Sequence, residues 1–100
     1  MFHHLVLLKF AADTPAETVA TFTDALRALP ASIPEIRLYS VGSGVNDGNW
    51  SFGIAAAFDS PEGWATYDTH PVHNEAREII AAHIIDRSAA QFWGDSEPRA

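Results

Sequence analysis

Apolar side chains near the start of the chain follow a pattern typical of a buried β-strand. Residues 3–10 are rich in aliphatic side chains, and both alternating sets of positions within them are largely apolar. A strand of this kind is expected inside a sheet that is covered on both faces. We therefore predict a first strand over residues 3–10, packed between two layers.

The segment after this strand carries the signals of an amphipathic helix. From Thr14 to Glu17 it reads Thr-Pro-Ala-Glu, which indicates a capping box with proline at the first helical position. Apolar side chains then recur at helical spacing, and Pro30 is expected to end the helix. These apolar positions are Val19, Phe22, Leu26 and Leu29.

Two further strands are predicted around a polar turn. The turn is indicated by the cluster Asn-Asp-Gly-Asn at residues 46–49. The flanking segments, residues 35–44 and residues 50–58, are expected to pair as a hairpin. In the second of them, large apolar side chains alternate with small residues, so another layer is expected to approach closely.

The C-terminal half is predicted to contain a broken helix and a last strand. Ser60 is placed to cap a helix whose first residue is a proline. The pair His70-Pro71 interrupts this helix, because proline disfavours helical backbone in the residue before it. A further helix is predicted over residues 72–82, and a last strand over residues 84–93.

The order of these elements predicts an α+β fold. Strand, helix, strand, strand, helix and strand form the ferredoxin-like βαββαβ pattern, with a four-stranded antiparallel sheet and helices on one face. We expect one domain over residues 1–94 and a loose polar tail over residues 95–100. If side chains alternate regularly between the two faces of each strand, the face without helices carries Leu5, Leu7, Tyr39, Val41, Ala55, Ala57, Ile85 and Trp93.

This second face of the sheet predicts self-association. A contiguous apolar surface of that extent is rarely left in contact with water. The simplest cover is a second copy of the chain, so we expect a homodimer joined through the sheet faces.

The charge balance narrows the classes of partner. The chain has 100 residues, and 6 lysine and arginine residues against 13 aspartate and glutamate residues give a formal net charge of -7. Such a chain repels nucleic acids and anionic membranes. It has no cysteine, no signal-peptide pattern at its start, and no apolar run near the roughly 20 residues that cross a bilayer. We expect a cytoplasmic protein.

The richest polar segment runs from Tyr67 to His73 and reads Tyr-Asp-Thr-His-Pro-Val-His. His73 falls in the first turn of the predicted helix, whose positive end disfavours imidazolium and lowers the pKa. A neutral imidazole suits a general base, and the Tyr67 hydroxyl can polarise a carbonyl or orient that base. The alternative is that His70 and His73 only cap or satisfy the broken helix. Their spacing also lacks the third ligand of a metal site.

Two adjacent histidines on the first strand must point to opposite faces of the sheet. His4 shares its side with the large apolar residues that the first helix needs, so we expect it in a pocket between the helices and the sheet. A hydrogen-bonded structural role is the alternative. His3 then falls on the dimer side or at its rim. The expected pocket wall, which would bind a small apolar ligand, consists of Val6, Leu8, Phe22, Leu26, Phe52 and Ile54.

Several segments together resemble the stress-responsive dimeric α/β-barrel (Dabb) family. They are the opening strand from His4 to Phe10, the segments Ile-Pro-Glu-Ile and Ala-Phe-Asp-Ser, and the Tyr-x-x-His-Pro-x-His motif that ends at His73. The likeness covers nearly the whole chain, from His4 to Phe92. It implies a ferredoxin-like protomer and a homodimer whose two sheets face each other as a barrel.

The resemblance also implies candidate chemistry. The family includes polyketide cyclases of the olivetolic acid cyclase type, which close a ring by aldol chemistry without metal or cofactor. By this likeness His73 is the acid/base, Tyr67 assists it, and His4 lies in the pocket. Leu26 stands where those cyclases have a pocket tyrosine, so a different substrate is expected.

Three functions are consistent with the sequence. The first is a cofactor-free cyclase or lyase that acts on a small apolar, polyketide-like carbonyl compound, with His73 as general acid/base. The second is a non-catalytic dimeric module for stress protection or ligand binding, and the third is a cofactor-independent monooxygenase. A cavity of several hundred cubic ångströms around His73 favours the first, and a collapsed interior favours the second.

Overall fold

The sheet is built around its first strand. In the computed structural model, strand β1 (Phe2–Phe10) pairs with an antiparallel neighbour on each side. Strand β2 (Leu38–Ser43) lies at one edge and pairs with β3 (Phe52–Phe58), while β4 (Ile84–Trp93) forms the other edge. The strand order β2-β3-β1-β4 confirms the predicted ferredoxin-like, four-stranded antiparallel sheet.

Helices cover one face of this sheet. Helix α1 (Ala16–Arg27) and the short helix α2 (Leu29–Ser32) follow β1, and α3 (Pro61–Thr69) and α4 (Pro71–Ile80) follow β3. A 3-10 turn at Ala81–His83 leads into β4. Because α1 packs against α4, the first helix and the Tyr-to-His segment lie on the same side of the sheet.

The core lies between the helices and one side of the sheet. Along β1 the even-numbered side chains from Phe2 to Leu8 are buried, whereas Leu5 and Leu7 remain 40% and 41% exposed. This alternation assigns the even positions to the helix side. The buried apolar cluster on that side includes Val6, Leu8, Phe22, Leu26, Phe52, Ile54 and Ile80.

The starts of the helices follow local chemistry, with one exception. The Ser60 hydroxyl accepts the backbone N–H of Gly63 at 3.3 Å and caps α3, as predicted. The predicted capping box at Thr14 is wrong, because Pro15 occupies the cap position of α1. Thr14 therefore lies one residue outside the helix end, and its hydroxyl donates to the carbonyl of Ala11 at 2.6 Å.

Pro30 does not end α1 as expected. Helix α1 ends at Arg27, and Pro30 occupies the second position of α2. In the first turn of a helix the missing N–H of proline leaves no bond unmade, so the residue is tolerated there.

The predicted exposed side of β2 is wrong. Tyr39 and Val41 pair with Ala56 and Ile54 of β3, and residues directly opposite each other in a sheet share a face. Both side chains therefore pack on the helix side, against the core. Leu38 instead lies on the face of the sheet that the helices do not cover, which we call the open face, and it is 57% exposed.

A bulge decides the two faces of β4. The pairing register with β1 shifts by one residue where Ile85 is the extra residue of β4. Beyond the bulge, Trp93 pairs with Phe2, and their ring centroids lie 5.4 Å apart on the helix side. The predicted place of Trp93 on the open face is therefore wrong. The exposed large side chains that remain on that face are Leu5, Leu7, Leu38 and Phe92.

The structure describes residues 1–45 and 50–95. The predicted turn at residues 46–49 and the predicted tail beyond residue 95 lie outside them. Within the described ranges, no helix is long and apolar enough to cross a membrane.

Candidate functional site

A cavity of about 240 Å³ lies between the helices and the sheet. The three polar side chains singled out in the sequence, His4, Tyr67 and His73, all line it. Its apolar wall includes Val6, Leu8, Phe22, Leu26, Ile54, Ile80 and Ile84. A larger groove of about 490 Å³ lies on the open face of the sheet, and its described lining carries no ionisable side chain. The chemistry-bearing groups therefore belong to the smaller cavity.

The imidazole of His73 is held by backbone carbonyls. His73 is the third residue of α4, and its Nδ1 lies 2.9 Å from the carbonyl oxygen of Tyr67 and 3.3 Å from that of Asp68. Because a carbonyl oxygen can only accept, Nδ1 must carry the proton. In the neutral ring, the lone pair is then on Nε2. The proline break brings this arrangement about, since it turns the chain between Tyr67 and His73.

The surroundings keep His73 neutral. Burial lowers its pKa below the ordinary value, and the nearby positive charge of Arg77 adds to the effect. The two backbone carbonyls and the Asp68 carboxylate oppose this shift without reversing it. At neutral pH the side chain therefore offers an unprotonated nitrogen, which is the state that a general base requires.

Tyr67 contacts His73 by stacking. The two ring centroids lie 4.1 Å apart with an interplanar angle of 24°. The Tyr67 hydroxyl instead shares a hydrogen bond of 2.8 Å with the hydroxyl of Tyr39. Burial raises the pKa of both phenols, so both hydroxyls keep their protons. When Tyr39 is the donor in this pair, the Tyr67 proton is free for another acceptor.

His4 presents the opposite hydrogen-bonding character to His73. Its Nδ1 lies 2.8 Å from the side-chain nitrogen of Gln91, which donates, so Nδ1 accepts and the ring proton is on Nε2. Burial lowers the pKa of His4 from 6.5 to about 4. Its ring also meets the ring of Tyr67 edge-on at 5.9 Å. The cavity thus holds one neutral histidine with an N–H donor and one with a free lone pair.

Acid is expected to destabilise the protein through His4. Its pKa is lowered in the folded chain, so as the pH falls below 6.5 the unfolded chain binds a proton that the folded chain does not. This linkage removes about 2 kcal/mol of stability between pH 7 and pH 5. The variant His4→Gln, which still offers an acceptor to Gln91, should lose this component in urea unfolding measured at both pH values. A variant whose stability falls in parallel with the wild type would contradict the shift.

Two arginines complete the polar lining and were not anticipated from the sequence. Arg77 and Arg87 both line the cavity, although both are exposed. The side chain of Arg77 donates to Asp68 at 2.6 Å and to Asn74 at 3.2 Å. Arg77 follows His73 by four residues, so the two side chains lie on the same side of α4, and this spacing is the sequence signal that places Arg77 near the cavity. Arg87 could not be found without the register of β4.

The remaining predicted residues lie near the cavity or away from it. Phe52 is in the core, with its ring 5.3 Å from that of Phe22, and it is not part of the described lining. His70 caps α4, because its Nδ1 accepts the N–H of Val72 at 3.2 Å. His3 stacks on Phe92 at 5.3 Å on the open side of the sheet. Within residues 1–45 and 50–95, no three His, Asp or Glu side chains are grouped to hold a metal ion.

Comparison with known families agrees with this architecture. The family model of the stress responsive A/B barrel domain, Dabb, matches residues 2–93. The chain belongs to the Dabb family. The match spans all the strands and helices that the structure describes in this Dabb protein, and both segments that supply the cavity histidines. A comparison with curated proteins finds no similar sequence.

Solved structures resemble the Dabb protein closely. A dimeric protein of unknown function and ferredoxin-like fold from Bacteroides fragilis is 33% identical, with a TM-score of 0.84 over 91% of this chain and 93% of that chain. A dimeric ferredoxin-like protein from Thermobifida fusca is 35% identical, with a TM-score of 0.81 over 91% and 88%. Hydroxynitrile lyase from Passiflora edulis shares the fold at 10% identity, with a TM-score of 0.81 over 97% and 96%.

Proposed function

We propose that this Dabb protein is a cofactor-free acid/base enzyme of the cyclase or lyase type. It removes a proton α to the carbonyl of a small apolar, polyketide-like compound. The observation that carries the proposal is the state of His73: its Nδ1–H is bound to the Tyr67 carbonyl at 2.9 Å, which leaves the Nε2 lone pair in a ring that lines the cavity. No described residue forms a hydrogen bond with that nitrogen.

In the proposed reaction, Nε2 of His73 takes the proton from the carbon next to the substrate carbonyl. The electron pair of the broken C–H bond forms a C=C bond, and the π electrons of the carbonyl move onto its oxygen to give an enolate. The hydroxyl of Tyr67 stabilises this oxygen by donating a hydrogen bond to it, while it accepts a hydrogen bond from the hydroxyl of Tyr39. His4 orients the substrate through its Nε2–H. The enolate then attacks a second carbonyl or expels a leaving group, and His73 returns the proton.

The apolar wall supports a substrate of matching character. Val6, Leu8, Phe22, Leu26 and Ile54 surround the polar groups and exclude water from them. Exclusion of water strengthens the hydrogen bonds to the developing enolate. A binding module without chemistry needs the same wall, but it does not need a neutral histidine with an unused lone pair.

We also propose that the protein forms a homodimer through the open face of its sheet. Leu5, Leu7, Leu38 and Phe92 expose large apolar surface there. The Bacteroides fragilis and Thermobifida fusca proteins, at 33% and 35% identity, are described as dimeric. The cavity lies on the helix side of the sheet, so a dimer joined through the open face does not occupy it.

Proton removal can be tested before the natural substrate is known. Methyl levulinate, a small ketone, is incubated with the protein in deuterated buffer, and deuterium incorporation next to the ketone is followed by NMR. We expect incorporation above the rate in buffer alone. Binding of the ketone without any added exchange would overturn the proposal and favour the non-catalytic module.

A further inference from the structure

We propose that the natural ligand carries a carboxylate, which binds the guanidinium of Arg87 at the rim of the cavity. The inference rests on the proposed function, because it concerns the same cavity, and it narrows the substrate to an acidic carbonyl compound. Arg87 is exposed while His4, Tyr67 and His73 are buried, so the arginine lies at the entrance and the histidines lie inside.

The distribution of charge singles out this entrance. The chain has only 6 lysine and arginine residues against 13 aspartate and glutamate residues. Two of the 6, Arg77 and Arg87, nevertheless line this one cavity, and its described lining contains no aspartate or glutamate. Because Arg77 is paired with the Asp68 carboxylate, Arg87 supplies the positive charge at this entrance that is left to attract an anion.

The two arginines are not equivalent. Arg77 already has partners, since its guanidinium forms an ion pair of 2.6 Å with the Asp68 carboxylate and also donates a hydrogen bond to Asn74. The side chain of Arg87 forms no ion pair or hydrogen bond with any described residue. Its charge also reaches inward, because it adds to the lowering of the His4 pKa that burial causes and opposes the rise in the Tyr67 pKa that burial causes.

The chemistry of the two ends of the cavity sets the size and shape of the ligand. A guanidinium presents its N–H groups as a planar fork that matches a carboxylate. The volume of about 240 Å³ holds roughly ten non-hydrogen atoms, judged from a cavity of about 150 Å³ that takes up a benzene ring. A short keto acid fits this description, with its ketone at the histidines and its carboxylate at Arg87.

Levulinate and methyl levulinate provide a matched pair of probes, because they share the ketone chain and differ only at the carboxyl end, where the ester carries a methyl group in place of the negative charge. Dissociation constants are measured by NMR titration for the wild type, Arg87→Gln and Arg37→Gln. Arg37 is a control for net charge, because it forms an exposed ion pair with Asp59 away from the cavity. We expect the wild type and Arg37→Gln to bind levulinate at least about tenfold more tightly than the ester.

In Arg87→Gln this preference for the acid should vanish while the ester binds as before, and circular dichroism checks the fold. Equal affinities of the wild type for the two probes, no binding of levulinate, or an unchanged preference in Arg87→Gln would overturn the inference. Deuterium exchange into methyl levulinate, followed in the same samples, reports separately on the proposed function. If exchange occurs but the acid is not preferred, only the proposed role of Arg87 is refuted. If the acid is preferred but no exchange occurs, only the proposed acid/base chemistry is refuted.

Discussion

The variant His73→Asn is expected to lose about 100-fold to 10,000-fold of the deuterium exchange into methyl levulinate. Asparagine can still donate an N–H to the Tyr67 carbonyl, so the bend between α3 and α4 is preserved. It has no nitrogen that can accept a proton, so the proposed base is removed. The exchange rate is measured by NMR at saturating ketone, and the fold is checked by circular dichroism.

A matched variant separates the base from a general effect of losing a histidine. His83 lies in the 3-10 turn before β4 and is not part of the described cavity lining. His83→Asn should therefore exchange the ketone protons at the wild-type rate. An unchanged rate in a folded His73→Asn variant, or an equal loss in His83→Asn, would show that His73 is not the base.

The variant Leu7→Lys is expected to convert a dimer into a monomer. Leu7 lies on the open face and is 41% exposed in the single chain, so lysine there can reach water and should leave the fold intact. In a dimer joined through that face, each lysine becomes a buried charge without a partner. One such charge costs about 4 kcal/mol and the dimer contains two, so the dimer weakens by at least about a thousandfold. Sedimentation equilibrium measures the change.

The control for this variant adds the same charge on the other side of the molecule. Thr21 is exposed on α1, on the helix face, and Thr21→Lys should remain a dimer. A wild-type chain that sediments as a monomer would refute the proposed dimer. A Leu7→Lys variant that stays dimeric with a native spectrum would place the interface elsewhere.

The elements that could be predicted from sequence are those with strong local signals. The last strand lies at the predicted residues 84–93, and Ser60 caps α3 as expected. The break at His70-Pro71 also has a local cause, because proline forces the residue before it out of the helix. In each case neighbouring residues decide the backbone, with no information from the rest of the fold.

The errors arose where pairing between distant segments decides the outcome. Because side chains alternate between the two faces of a strand, Tyr39 and Val41 must lie on the opposite face of β2 from Leu38. This alternation does not reveal which of the two faces packs against the helices. The register against β3 decides this. In β4 the bulge at Ile85 reverses the parity that the sequence suggests for Trp93. A shift of one residue moves every side chain of a strand to the other face.

The candidate site shows the same division. His4 could be placed by its parity with the buried side of β1, and His73 by its position in the first turn of α4. Gln91 and Arg87 act on the cavity only through the pairing of β4 with β1, which no local pattern reveals. The contact of the Tyr39 hydroxyl with Tyr67 has the same cause, since it depends on which face of β2 meets the helices.

At the centre of this account stands His73 as a neutral imidazole with its proton on Nδ1 and its lone pair on Nε2. ¹⁵N NMR of histidine-labelled protein measures this directly, because protonated and unprotonated ring nitrogens resonate far apart. At pH 7 we predict a protonated Nδ1 and an unprotonated Nε2 for His73, in agreement with the carbonyl contacts of Nδ1. A proton on Nε2, or an imidazolium at that pH, would contradict the proposed base.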